Sequence, residues 1–269
     1  MVQRLSLGGS AAWLKRYDPD GWLRPALVRL WNGLARRLGL DALRSPPRHV
    51  GERAKEVEAR RLEALRACGA PVPRILGEGP RSLILSDMGP TLAHRLKRLE
   101  SANDADMLVR QTAHAIGRLH RRGGYLGQAF ARNITVGDQG VGFIDFEEDP
   151  SEIMSLAQAQ ARDWVMFTTG VGIYYTGRMD VLTGLIRDEA HEVEPQVARE
   201  VQRIAGRLGF LERTGRLLGR RMGVLGAAVG AMRKGFASVA IAALLLDVLS
   251  DGDCDVLIAV VDAVRQAAI

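Results

Sequence analysis

The sequence has little cysteine, few aromatic residues and no apolar run long enough to cross a bilayer. Its two cysteines, Cys68 and Cys254, are far apart and lack the spacing of a metal site, so we expect reduced thiols without a disulfide. The most apolar tract, residues 236–249, is shorter than the roughly 20 residues of a membrane-spanning helix and predicts a buried helix. The N-terminal residues lack the apolar run of a secretory signal. Together these absences predict a cytoplasmic protein.

Positive charge is what the chain has in excess. Its 37 Lys and Arg residues outnumber its 31 Asp and Glu residues, which gives a net charge of +6 and a pI near 9.8. Such a chain attracts phosphorylated ligands, an anionic membrane surface or nucleic acid. Aromatic residues make up only 5% of the sequence, so stacking surfaces for bases are scarce, and no helix-turn-helix or zinc-finger spacing occurs. We therefore expect phosphorylated or membrane partners and no nucleic acid.

The first part of the chain has the pattern of strands with helices between and after them. Residues 2–7 and 11–17 predict a β-hairpin around the turn Gly8-Gly9-Ser10. Two further strands are predicted at residues 74–78 and 82–86. Apolar spacing and helix breakers predict helices at residues 20–44, 50–68, 91–99 and 103–121.

The remainder of the chain combines one short hairpin with many helices. Residues 126–147 predict a loop followed by the two short strands of that hairpin. Beyond Pro150, helical spacing covers residues 151–176, 178–189, 195–208, 211–230, 235–249 and 253–267. Strands first and helices afterwards predict an α+β fold with a small β-rich part and a mostly helical part. The breaker at residues 87–90 marks the expected boundary between them.

Asn133 and Asp145 lie on opposite sides of the predicted short hairpin. Asp145 interrupts an otherwise apolar strand, and a buried carboxylate requires a metal ion or hydrogen-bond donors. Carboxylate and amide oxygens are hard ligands of the kind that Mg²⁺ takes from proteins. The alternative for Asn133 is an ordinary turn residue. We interpret the pair as ligands of one divalent metal ion.

Lys15 and Glu58 form a second candidate pair. Lys15 lies in the strand segment Trp13-Leu14-Lys15-Arg16-Tyr17, and Glu58 lies in the predicted helix 50–68. A lysine on a strand, held by a glutamate from the next helix, is suited to bind phosphate groups. Glu56 is a competitor on a different face of the same helix. The alternatives are an exposed strand lysine and a solvated helix glutamate.

Two further polar residues, His120 and Asp163, have structural interpretations. His120 ends the predicted helix 103–121, where a positive charge interacts favourably with the helix C-terminus. Asp163 lies within a predicted helix among apolar residues. We interpret Asp163 as an anchor that hydrogen-bonds the backbone of a loop, because a carboxylate in such surroundings needs donors.

These segments together resemble the protein-kinase-like superfamily, and specifically its small bacterial branch of lipopolysaccharide-core and other glycolipid kinases. Most members have a loop of the form His-Gly-Asp-x-x-x-x-Asn before a strand that ends in Asp-Phe-Gly. Here the same frame reads Leu126-Gly127-Gln128, four residues, Asn133, then Phe143-Ile144-Asp145-Phe146-Glu147. The resemblance covers about residues 1–176 and includes the lysine strand, Glu58-Ala59-Arg60, residues 69–73 and Ile116-Gly117-Arg118-Leu119-His120.

The resemblance implies a two-lobed fold, with lobes at residues 1–88 and 89–269, and an ATP- and Mg²⁺-dependent phosphotransferase. Its acceptor would be the hydroxyl of a sugar or of a lipid-linked molecule such as a lipopolysaccharide core. Lys15 and Glu58 would serve catalysis and hold the phosphates, while Asn133 and Asp145 would bind Mg²⁺. Gly8 and Gly9 would cover the nucleotide, and the connection at Asp87 and Met88 would contact it.

The chain departs from the family pattern in two places. Gln128 occupies the position of the usual aspartate base, and an amide cannot accept a proton at neutral pH, although it can orient an acceptor. Only one strand precedes Lys15, which shortens the glycine-rich cover. Two functions therefore stay open, a slow kinase and a pseudokinase that binds nucleotide or scaffolds a partner. A weaker third alternative is a transferase that moves a group other than the terminal phosphate. The acidic run at residues 147–149 either replaces the base or is simply solvated.

Residues 21–38 predict an amphipathic helix with arginines largely outside its apolar stripe. A helix that carries tryptophan and arginine suits an anionic interface, so we expect peripheral contact with the inner membrane there. The alternative is a helix that packs on the first lobe.

Overall fold

The computed structural model describes residues 2–17, 23–137, 140–209, 212, 214 and 219–251. Helices account for 56% of the chain and strands for 15%, with a small antiparallel sheet and a mostly helical remainder. This composition confirms the predicted mixture of a small β-rich part and a helical part.

A four-stranded antiparallel sheet forms the first part of the chain. Its strands are β1 (Val2–Leu7), β2 (Ser10–Arg16), β3 (Ile75–Gly79) and β4 (Ser82–Ser86), in the order β1-β2-β4-β3. The turn between β1 and β2 uses Gly8 and Gly9, both at positive φ, a conformation that glycine adopts without strain. The register places Lys15 of β2 between Val2 and Leu83, near the middle of the sheet.

Helices α1 (Leu23–Arg37) and α2 (Gly51–Ala67) lie between β2 and β3 in the sequence. The predicted helix over residues 20–44 was too long at its C-terminal end. Gly39 has a φ of 63°, and the Leu40 N–H donates to the Ala35 carbonyl, which closes α1 as a helix C-cap. A 3₁₀ turn follows at Asp41–Leu43.

The connection after β4 leads into α3 (Leu92–Leu96) and α4 (Ala102–Arg121). Thr91 caps α3 and Ser101 caps α4, each through its side-chain oxygen. A second, two-stranded sheet comprises β5 (Ile134–Gly137) and β6 (Gly140–Phe143). The Phe143 N–H donates to the carbonyl of Pro71, so β6 is joined directly to the segment that precedes β3.

The helical part contains α5 (Leu156–Gly172), α6 (Met179–Ala190), α7 (Pro195–Arg207) and α8 (Arg220–Asp251). The predicted helix over 151–176 is divided, because a capping box at Ser155 starts α5 and 3₁₀ turns precede and follow it. Trp164 is fully buried at the centre, with its ring edge-on to Phe167 and Phe236.

Two separate helices were predicted at residues 211–230 and 235–249, and this prediction was wrong. From Arg220 onwards, α8 is continuous through Gly230 and Gly235. Glycine lowers helix stability by only about 1 kcal/mol, and here it permits close packing. A Cβ on Gly235 would lie 2.9 Å from the Ile186 Cγ2 atom of α6. The predicted helix over 253–267 and Cys254 lie outside the described residues.

Candidate active site

A cleft of about 430 Å³ lies between the four-stranded sheet and the β5–β6 hairpin. Most of the side chains that the sequence singled out line it, although they come from five separate segments: Lys15, Glu58, Asp87, Met88, Asn133 and Asp145. Gly8, Gly9 and Gln128 are not among the described residues that line this cleft. The cleft is therefore the candidate active site, and three of the predicted site residues lie outside its wall.

Lys15 is buried at the back of the cleft, where its Nζ contacts three carboxylates. The distances are 2.7 Å to Glu58 Oε2, 2.7 Å to Asp145 Oδ1 and 2.9 Å to Glu147 Oε1. Burial alone would lower the pKa of Lys15, but these three negative charges outweigh it and raise that pKa. The alternative of an exposed strand lysine is wrong, because only 6% of Lys15 is accessible.

Glu58 is the most enclosed member of this cluster. Its Oε2 accepts from the Tyr17 hydroxyl at 2.7 Å, and its Oε1 accepts from the Phe146 backbone N–H at 3.3 Å. Burial and the adjacent Glu58 charge raise the pKa of Tyr17. Glu56 is exposed on another face of α2, so Glu58 is the glutamate that contacts Lys15. The alternative of a solvated helix charge is wrong for Glu58, because its side chain is buried.

Asp145 and Asn133 lie at the base of the hairpin. The register pairs Ile134 with Phe143, and the Ile144 N–H donates to the Asn133 carbonyl at 2.9 Å, so Asp145 comes directly after that contact. Asp145 has a φ of 72°, which is sterically unfavourable for a residue with a side chain. Such conformations concentrate at functional sites, where the surrounding contacts enforce them. Here Lys15 holds the carboxylate in place.

The loop that contains Gln128 is fixed from below by α5. Asp163, fully buried, accepts from the Leu126 and Gly127 backbone N–H groups, each at 2.6 Å. The predicted anchoring role of Asp163 is thereby confirmed. His120 lies in the last turn of α4, as predicted, and it is buried there with its Nε2 3.1 Å from Asp163 Oδ2.

Arg162 fixes the same loop from the other side. Its buried guanidinium donates from Nε to the Gly127 carbonyl at 2.7 Å and from Nη1 to the carbonyls of Ala42 and Arg44. Burial lowers the pKa of Arg162, which is partly offset by the charges of Glu148 and Asp163. Arg162 therefore links the segment after α1 to this loop.

The three acids that follow Phe146 have different surroundings. Glu147 contacts Lys15 and, at 3.3 Å, Arg48. Asp149 accepts from the Tyr125 hydroxyl at 2.7 Å, caps the next 3₁₀ turn and pairs with Arg60. Glu148 is half-buried near Gln128 and Arg162, and burial raises its pKa.

The connection at residues 87–89 forms the rim of the cleft. One oxygen of Asp87 accepts from the Trp13 indole at 2.5 Å, and the other accepts from the Gly89 N–H at 3.2 Å. The Asp87 carboxylate is thus used internally, while Leu85, Met88 and Ile144 give this end of the cleft an apolar wall.

A second group of metal-type donors lies away from the cleft. His114 of α4 and Glu189 and Glu192, at the C-terminal end of α6, have donor atoms within 4.8 Å of one another. Arg121 Nη1 lies 2.7 Å from Glu192 Oε2, and His114 Nδ1 lies 3.4 Å from Glu189 Oε2. Ion pairs between α4 and α6 account for this group.

Sequence reasoning missed Tyr17 and Arg162, whose contacts shape the site. Tyr17 had a usable signal, since it shares a strand face with Lys15 by alternation. Arg162 had none, because its acceptors are backbone carbonyls that any residue supplies.

Comparison with known protein families and with curated proteins gives no similarity on which to base a family assignment: no family model and no curated sequence matches this chain.

Proposed function

We propose that this protein is an ATP- and Mg²⁺-dependent phosphotransferase with a two-lobed, protein-kinase-like fold. One observation carries the proposal. A buried lysine on β2, a buried glutamate on α2 and an aspartate at the end of β6 meet within 2.7 Å contacts in one cleft. Lys15 and Glu58 are buried while Asp145 is open to the cleft, and charged groups clustered in this way are frequent at functional sites.

Lys15 is suited to hold nucleotide phosphates. Glu58 fixes the ammonium group from behind, while Asp145 and Glu147 approach it from the cleft side. Phosphoryl transfer depends mainly on positioning and on stabilising charge at the phosphates, which a fixed ammonium group and a metal ion provide.

Asn133 and Asp145 fit the chemistry of a magnesium site. The Asn133 amide nitrogen donates to the Gln128 carbonyl at 3.1 Å, which leaves its amide oxygen for a cation. Asp145 uses Oδ1 for Lys15, and none of the described residues donates to its Oδ2. Bound Mg²⁺ would neutralise the phosphates, and magnesium commonly takes one or two protein oxygens.

The acceptor we propose is the hydroxyl of a sugar or lipid-linked molecule at an anionic membrane surface. Helix α1 supports this choice, because Leu30 is 73% exposed and Leu34 and Leu38 repeat at the same helical spacing. Among the described residues, none pairs with Arg29, Arg36 or Arg37 of this region.

In the described part of the chain, no helix combines the length and the apolar character needed to span a membrane. A surface helix such as α1 would make peripheral contact instead, with its leucines in the interface and its arginines near lipid phosphates. Helix α1 leads into the segment Asp41–Arg44, which Arg162 links to the Gln128 loop.

A second candidate function is that of a pseudokinase that binds nucleotide without transferring phosphate. Gln128 supports it, because the position of the usual base holds an amide. The ammonium group of Lys15 is also already paired with three carboxylates, which compete with phosphate groups for it.

Thermal unfolding with and without Mg²⁺·ATP tests nucleotide binding. We expect ATP at about 100 times its Kd to stabilise the wild type by about 2.7 kcal/mol. Lys15→Met and Asp145→Asn should abolish most of this gain, while Lys97→Met, an exposed lysine, should retain it. Circular dichroism confirms that each variant is folded. If ATP does not change the melting temperature of the wild type, both candidate functions are refuted.

Transfer of radiolabelled phosphate from ATP to envelope glycolipid extracts distinguishes the two candidates. A labelled lipid that requires Mg²⁺ and Lys15 supports the phosphotransferase. Nucleotide binding with no labelled product in any fraction supports the pseudokinase.

A further inference from the structure

Thr135 places a hydroxyl group at the apolar end of the cleft. This residue of β5 lines the cleft together with Leu85, Met88 and Ile144. Only 1% of Thr135 is accessible, and none of the described residues hydrogen-bonds its Oγ1. A buried hydroxyl without a partner is unfavourable, and the few that occur in folded proteins call for an explanation.

The other polar side chains around this end of the cleft already have partners. The Ser86 hydroxyl accepts from a backbone N–H at 2.9 Å. Thr91, which forms a β-bridge with Thr135, accepts from the first turn of α3 at 3.2 Å. Both oxygens of Asp87 accept hydrogen bonds within the protein. Of these four residues, Thr135 is the one whose polar atom is left for a ligand.

Gly142 keeps the space in front of Thr135 open. The register pairs these two residues across the β5–β6 hairpin. A Cβ on Gly142 would lie 2.8 Å from Thr135 Oγ1 and 2.6 Å from the Met88 Cε atom. The Met88 methyl group therefore lies beside the hydroxyl and helps to bury it. Methionine has a flexible, unbranched side chain, so this methyl group can turn aside for a ligand without a change in the backbone.

We propose that Thr135 Oγ1 recognises the edge of the nucleobase of bound ATP, while the ring lies among Leu85, Met88 and Ile144. A hydroxyl both donates and accepts, and the edge of a purine carries acceptor nitrogens and an amino donor. Ligand sites are commonly apolar with a few placed polar groups that fix orientation. The inference rests on nucleotide binding by the proposed function and adds the group that reads the base.

Removal of this hydroxyl should have opposite effects on stability and on binding. Valine has nearly the same shape as threonine, so Thr135→Val removes an unpaired oxygen from the folded protein and leaves little space behind. The protein without nucleotide should therefore melt at a higher temperature. The same change removes the partner of the base, so ATP should bind less tightly. A hydroxyl with a purely structural role would not give this combination.

The test measures binding of Mg²⁺·ATP and of Mg²⁺·tripolyphosphate, which carries three phosphates without a base, by isothermal titration calorimetry. It compares the wild type, Thr135→Val, Thr135→Ser and the matched control Thr168→Val. Thr168 of α5 is a second buried threonine whose Oγ1 has no partner among the described residues, and it does not line the cleft.

We expect Thr135→Val to raise the Kd of ATP roughly tenfold and to leave the Kd of tripolyphosphate unchanged. Thr135→Ser, which keeps the hydroxyl, should bind ATP within about threefold of the wild type. Thr168→Val should bind both probes as the wild type does, while its melting temperature rises as that of Thr135→Val does.

Four results would overturn the proposal. A Thr135→Val variant whose Kd for ATP stays within about threefold of the wild type refutes base recognition and leaves the phosphate site standing. Equal weakening of both probes shows a general change of the cleft and refutes it too. A Thr135→Val variant that melts below the wild type, or does not fold, shows that the hydroxyl has a partner within the protein. A wild type that binds neither probe refutes the proposed function together with this inference.

Discussion

Replacing Asp163 by asparagine should destabilise the protein far more than the same change on the surface. The carboxylate of Asp163 is fully buried and accepts two backbone hydrogen bonds of 2.6 Å, from Leu126 and Gly127. Asparagine has nearly the same shape but replaces one acceptor oxygen with an NH₂ group. That group would face an N–H donor, so one backbone donor of the loop would lose its partner.

The expected loss can be worked out from these contacts. A hydrogen bond to a charged group contributes about 1.5–3 kcal/mol, and an unsatisfied buried donor is unfavourable by about 1–3 kcal/mol. The two effects overlap, and removing a buried charge offsets part of them, so we expect a decrease of about 3 kcal/mol in the free energy of unfolding. Asp188→Asn is the matched control, since Asp188 is exposed and pairs with Arg110 at 3.0 Å. An exposed pair contributes about 1 kcal/mol or less.

Urea unfolding at pH 7, followed by tryptophan fluorescence and circular dichroism, measures both variants. Trp164 reports directly on this region, because its ring lies edge-on to His120, the third partner of Asp163. A decrease below about 1 kcal/mol for Asp163→Asn, or equal decreases for the two variants, would show that the loop does not depend on this carboxylate.

Three further predictions concern other parts of the molecule. The free energy of unfolding should fall above about pH 10, because the pKa values of Lys15 and Tyr17 in the folded protein are raised above their unfolded values of 10.5 and 10.0. In urea titrations, Tyr17→Phe should make this fall shallower by up to about 1.4 kcal/mol per pH unit. Gly235→Ala should destabilise by about 1–3 kcal/mol through overpacking, while Gly184→Ala, which meets open space in α6, should stabilise by about 0.5–1 kcal/mol; thermal unfolding compares them. Leu34→Glu should greatly reduce cosedimentation with vesicles that contain phosphatidylglycerol, and wild-type binding that is equal for neutral vesicles would contradict the membrane surface.

The strands and most helix positions could be predicted because their signals are local. Alternation along β2 and the glycine turn before it were visible in the sequence, and both β3 and β4 lie within one residue of their predicted bounds. The continuity of α8 was not visible, because Gly230 and Gly235 have the composition of a break. Their role depends on neighbouring helices that the local pattern does not contain.

The candidate site was predictable to the extent that chemistry requires particular residue types. Lys15, Glu58, Asn133 and Asp145 are unusual choices for their segments, and the structure brings all four into one cleft. Which acid lies near Gln128 could not be predicted, because three acids follow one another in the chain and their side chains diverge. Only tertiary structure assigns each of them to its partner.

The contacts of Arg162 have a consequence for any attempt to divide the chain. Its guanidinium takes two of its three acceptors from Ala42 and Arg44, which precede the boundary at residues 87–90 by more than forty positions. A fragment that begins at Gly89 would retain Arg162 within α5, but the Nη1 group of Arg162 would lose both of its carbonyl acceptors. The helical part is therefore completed by the N-terminal part, and truncation at the apparent hinge should yield a fragment that aggregates instead of an independently stable lobe.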